Sequence, residues 1–172
     1  MTLNTIETLL FDLGKLVFVA YFMLFVLAVL FERKVSSLVI SLMVLAVANG
    51  VMTAITPILF DVASKPEMFY KFLWYAVFVF LDFVAIFLLY KFHRMLRQSV
   101  GRIAHCVGVA FLLLASIQTL RFFDRFVSNT ELFQILYQYG IPLINVVLVP
   151  VIVLMWGFNV KAEIKKARVV SA

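Results

Sequence analysis

The sequence is short of charge and nearly without cysteine. Of its 172 residues only 14% are Asp, Glu, Lys or Arg, while 65% are hydrophobic. A soluble domain carries about 25% charged and about 45–50% apolar residues. A chain this short cannot screen so much apolar surface from water, and lipid is the solvent that removes the conflict. Cys106 is the only cysteine, so no disulfide forms within one copy and dithiol redox chemistry is excluded. The HExxH, GxSxG and P-loop signatures are missing. A membrane aspartyl protease needs two facing acids, and only one acid lies deep in an apolar run. The chain therefore reads as a non-enzyme without cofactor. The opening stretch presents Glu7 and Asp12 before its first basic residue, Lys15. It lacks the basic n-region of a signal peptide and reads as retained.

What is present is a set of five long apolar runs: residues 9–31, 35–60, 72–90, 103–120 and 132–158. About 20 apolar residues cross the hydrocarbon as a helix, and an isolated strand cannot satisfy its backbone in lipid. The expected fold is an all-α, polytopic membrane helix bundle of five transmembrane helices, forming a single membrane domain over residues 1–172. Ser64-Lys65-Pro66-Glu67 and Ser128-Asn129-Thr130-Glu131 read as capping boxes, with Val127 and Leu132 as a hydrophobic staple at the second. The polar stretch from Lys91 to Arg102 reads as a continuation of the third helix beyond the bilayer.

The net charge of +6 does not point to nucleic acid, because the basic residues sit in clusters between the runs. Arg33, Lys34, Lys91, Arg94, Arg97, Arg102, Lys161, Lys165, Lys166 and Arg168 fall on one side; Lys15, Lys65, Lys71, Arg121 and Arg125 fall on the other. The positive-inside rule places the first group in the cytoplasm, with the N-terminus outside and the C-terminus cytoplasmic. Short loops and the lack of an N-x-[ST] acceptor site lead us to expect a bacterial inner membrane.

Asp82 is the acid near the centre of the third run. An ionisable group at that depth costs about 2.5–3.5 kcal/mol even on a lenient insertion scale. It must face other helices or water, or carry a proton. Two readings follow: a proton or cation site, or a neutral acid that locks two helices together. Asn49 and Asn145 fall at a similar depth on other runs, so the three form a candidate midplane polar cluster. Pro142 and Pro150 interrupt the fifth run around Asn145. Each removes a backbone hydrogen bond, which reads first as a kink and alternatively as a broken-helix site.

Small residues recur at helical spacing: Ala46, Gly50 and Ala54 in the second run, and Ala104, Gly108, Ala115 and Thr119 in the fourth. They are the candidate tight helix contacts. Thr53 and Thr56 are expected to bond their own helix backbone. Lys15 and Asp12, three apart, are expected to pair. Arg121, Asp124 and Arg125 read as a solvated turn. His105 and Cys106 are neighbours that point apart, and with His93 read at the rim, no metal or haem site is expected. Arg94, Arg97 and Arg102 read as topology signal that also suits anionic lipid headgroups. The aromatics Trp74, Tyr75, Phe78, Phe80, Phe83 and Phe87 read as packing and lipid contacts.

Two function classes follow. The first is a small non-catalytic accessory, regulatory or protective subunit of a membrane assembly, docked on another membrane protein or on itself. The second is an oligomeric proton- or cation-coupled transporter or channel that uses Asp82.

Overall fold

A computed structural model of the chain describes the backbone of residues 5–170 and the side chains of residues 12–160. The side chains of Glu7, Lys161, Lys165, Lys166 and Arg168 lie outside the described ones. Five helices follow one another: α1 (Thr5–Glu32), α2 (Ser37–Ala63), α3 (Met68–Met95), α4 (Arg102–Phe126) and α5 (Ile141–Val170). A π-wound stretch, Leu136–Gly140, leads into α5. At about 1.5 Å per residue each helix is longer than the roughly 30 Å hydrocarbon core. All five contain a stretch apolar enough to cross it. The protein is a five-span membrane helix bundle, with no strand among the described residues.

Consecutive helices pack against each other, α5 returns to α1, and α2 also touches α4. The layout is thus a ring of α1, α2, α4 and α5, with α3 lying on the α2–α4 edge. Lipid provides no hydrophobic force between helices, so close van der Waals fit and polar links must hold them. The fit is best in the middle: about half of the apolar window of α2 and α4 is buried, against 17% for α1 and 11% for α5. Leu42, Leu45, Leu89, Ala104, Val107, Phe111 and Ile152 form the heart of the core.

Helix ends correct part of the sequence reading. Ser36 caps α2, its hydroxyl accepting the Val39 N–H at 3.3 Å. Neither expected capping box forms. Ser64 instead closes α2, its hydroxyl donating to the Asp61 carbonyl at 2.7 Å, and α3 begins after Glu67. At the second box the chain is still irregular over residues 129–131, because a different carboxylate takes the N–H groups, as described below. The third helix does run past the apolar segment, but it stops at Met95. There the Gln98 N–H reaches the His93 carbonyl at 2.9 Å and the Arg97 N–H reaches Arg94, the paired bonds of a Schellman end. Arg97 takes the left-handed conformation that glycine usually supplies, φ 52°, and Arg33 does the same after α1, φ 50°. An L-residue there costs about 1–2 kcal/mol. Both arginines lie on the face that holds the C-terminus.

The two faces differ sharply in charge. By position along the helices, the C-terminal face carries ten basic and two acidic residues, whereas the N-terminal face carries five and six. On the N-terminal face Lys15 is paired with Asp12 at 2.8 Å, as expected, and Arg121 is also neutralised.

Candidate functional site

The polar residues inside the bundle fall into two groups. The first is built on Asn145. Its side-chain amide donates to the Ile141 carbonyl at 3.0 Å, and its side-chain oxygen receives Asn49 at 3.4 Å. Its backbone carbonyl accepts the hydroxyl of Tyr21, a fully buried residue of α1, at 2.6 Å. Three helices are therefore joined at one residue. Pro142 explains why the backbone here is unusual. It has no N–H to return to the Gln138 carbonyl, and the chain is π-wound in the turn just before it. Pro57 and Pro150, by contrast, lie within continuous α-helix. A small cleft of about 120 Å³ opens beside this junction, lined by Leu13, Gly14, Val17, Asn49, Ile141, Pro142 and Asn145. At roughly 30 Å³ per water it has room for about four.

The second group is Asp82 with Gln118. Asp82 lies near the midpoint of α3 and has no exposed surface. Its neighbour across the α3–α4 contact is the buried Gln118 amide. Neither carboxyl oxygen has a partner at proper hydrogen-bond geometry. Among the described hydrogen bonds none joins Asp82 to Asn49 or Asn145. Of the three residues read as a midplane cluster, the hydrogen bonds thus join Asn49 to Asn145, whereas the polar neighbour of Asp82 is Gln118. Lys15 is occupied by Asp12 and is exposed, so it is no partner for Asp82.

Two further polar knots sit at the ends of the bundle, and the sequence reading missed both. At the C-terminal face His93, in the last turn of α3, is at the rim as read but only 1% exposed. Its Nδ1 lies 2.7 Å from the Leu89 carbonyl and its Nε2 2.8 Å from the Ser37 hydroxyl. A carbonyl only accepts, so Nδ1 carries a proton, and in the neutral ring Ser37 donates to Nε2. The same hydroxyl oxygen accepts the Gly101 N–H at 2.9 Å. A Cβ on Gly101 would fall 2.9 Å from that oxygen, so glycine permits the approach. The knot fastens the start of α2 to the end of α3 and to the α3–α4 turn.

At the N-terminal face Arg121 and Asp124 are buried, which corrects the expected solvated turn. Arg121 donates to Asp124 at 2.8 Å and to Glu131 at 2.5 Å. Asp124 also accepts the Thr130 hydroxyl and the N–H groups of Leu132, at 3.2 Å, and Phe133, at 3.1 Å. This carboxylate does the capping assigned to Ser128, and Glu131 turns to Arg121 instead. Beside it Tyr75, Phe122, Phe126 and Tyr137 form an aromatic cluster. Trp74 donates its indole N–H to the Tyr137 hydroxyl at 2.8 Å. Of the other α3 aromatics Phe78 is buried, whereas Phe80, Phe83 and Phe87 face outward.

The small residues divide likewise. Ala46, Ala104, Gly108 and Ala115 are buried. A Cβ on Gly50 would lie 2.8 Å from the Phe18 ring, and one on Gly108 3.2 Å from the Tyr90 hydroxyl, so both glycines admit a side chain from a neighbouring helix. Ala54 and Thr119 are exposed and leave the ladders; the Thr119 hydroxyl bonds back to Ala115, as Thr56 does to Met52. Arg94, Arg97 and Arg102 are exposed at the C-terminal face, as is His105, while Cys106 is half-buried. No family model matches the sequence, and no curated protein or solved structure shows significant similarity to the chain.

Proposed function

We propose that this chain is a small non-catalytic integral membrane protein that serves as an accessory, regulatory or protective subunit of a membrane assembly. The supporting observation is how Asp82 is enclosed. It has no exposed surface, it is backed by Gln118, and it lines neither the cleft beside Asn145 nor the one beside Trp156. A group so sealed suits a neutral acid fastening α3 to α4 better than a station on an ion path. The remaining interior polar groups are largely occupied with one another. The weak burial of α1 and α5, which are neighbours, leaves a broad outer wall available to another membrane protein or a second copy. In this reading the strongly basic C-terminal face is cytoplasmic and the N-terminus outside, in a bacterial inner membrane.

One observation favours the second reading, a proton- or cation-coupled transporter formed by an oligomer. Both Asp82 oxygens lack hydrogen-bond donors at proper geometry, as a group awaiting a proton or cation would. Proton and monovalent-cation flux in liposomes, with the purified chain and its Asp82→Asn variant, separates the two. The accessory reading predicts no flux above empty vesicles and a folded Asp82→Asn variant that still copurifies with its partner in mild detergent. Flux that disappears in Asp82→Asn would replace it with the transport reading.

A further inference from the structure

We infer that the cleft between the end of α1 and the facing part of α5 holds the headgroup of a zwitterionic, primary-amine phospholipid. The cleft measures about 550 Å³ and is lined by Phe31, Glu32, Lys34, Trp156 and Val160, a size in the range of small-ligand sites. Glu32 is the last residue of α1, so the cleft lies where the apolar run gives way to the headgroup layer. Its lower wall is aromatic: the Phe31 and Trp156 rings meet edge to face with centroids 6.1 Å apart. Such rings suit the level of the glycerol backbone and the first acyl carbons.

The charges decide the class of lipid. Glu32 and Lys34 lie two residues apart on the α1–α2 turn, and among the described residues neither takes part in an ion pair. The cleft thus offers one carboxylate and one ammonium to a ligand that carries both signs. A phosphate answers Lys34. A primary ammonium answers Glu32 through N–H donors, which a trimethylammonium lacks. A purely anionic headgroup would answer Lys34 alone and meet Glu32 as a like charge. The Trp156 indole N–H is buried without an acceptor. A turn of the ring toward a phosphate or ester oxygen in the cleft would supply one.

Native mass spectrometry of the full chain tests this, using nanodiscs with equal amounts of phosphatidylethanolamine, phosphatidylcholine and phosphatidylglycerol of identical acyl chains. The proposal expects the primary-amine lipid to remain bound at least about threefold over each of the others. Glu32→Gln should erase its advantage over the choline lipid, and Lys34→Gln should lower retention of all three. Trp74→Phe leaves Trp156 as the sole tryptophan, and brominated phosphatidylethanolamine must then quench its emission more than the brominated choline lipid does. Equal retention of the three lipids overturns the proposal. So does preference for phosphatidylglycerol that Glu32→Gln leaves unchanged, which would mark an unspecific basic surface, and so does equal quenching by the two brominated lipids.

Discussion

Replacing Asp124 by alanine should be among the most damaging single changes at the N-terminal face. The Asp124 side chain is 1% exposed and that of Arg121 5%. Four donors converge on the carboxylate: the Arg121 guanidinium, the Thr130 hydroxyl and the N–H groups of Leu132 and Phe133. Without it, two backbone N–H groups and half of a buried guanidinium lose their partner. Breaking a buried pair from one side costs about 3–5 kcal/mol. At about 2–4 °C per kcal/mol for a chain of this length, the midpoint of thermal unfolding should fall on the order of 10 °C. Glu131 supplies the contrast, since its side chain is 60% exposed and an exposed partner is worth about 0–1 kcal/mol. Glu131→Gln should therefore shift the midpoint by a few degrees at most. Both variants can be followed by circular dichroism during heating in one mild detergent. The reasoning fails if Asp124→Ala melts within about 2 °C of the parent, or if Glu131→Gln is equally damaging.

Ser37→Ala removes both the donor to His93 and the acceptor for the Gly101 N–H. At about 1–3 kcal/mol for each of the two groups left unpaired, it should cost about 2–6 kcal/mol in denaturant titration, whereas loss of the neighbouring Ser36 cap should cost about 1 kcal/mol. Gly50→Ala places a methyl 2.8 Å from the Phe18 ring and should destabilise by about 1–3 kcal/mol. Gly157→Ala meets nothing within 4 Å and should be neutral or stabilising by up to about 1 kcal/mol in the same titration.

The five spans were legible because their cause is local: an uninterrupted apolar run of about 20 residues allows few other outcomes in lipid. The pairing of Lys15 with Asp12 was legible for the same reason, being set by helical spacing alone. The interior arrangement was not, because it depends on which helix faces which. Asp82 stands out by its depth, but its neighbour Gln118 lies within an apolar run, and only the α3–α4 contact reveals it. Nothing local marks Tyr21 within the first apolar run, although its hydroxyl is what ties α1 to Asn145. The failed capping boxes have a physical origin too. Ser64 and Ser128 carry the right spacing, but Asp124, buried and charged, is the stronger acceptor at the second site. His93 sits among basic residues that suggest a solvated side chain; its burial against Ser37 is a tertiary fact.

The bundle requires three crossings of the bilayer between Asp12 and Gln98, an odd number that puts the two residues on opposite sides. With Cys106 replaced by alanine and one new cysteine placed at either Asp12 or Gln98, a membrane-impermeant maleimide applied to sealed right-side-out and inverted vesicles reports the side of each. The five-span bundle predicts opposite sides, and the proposed orientation predicts that Asp12→Cys reacts only from outside and Gln98→Cys only from the cytoplasmic face. Reaction of both from the same side would contradict it.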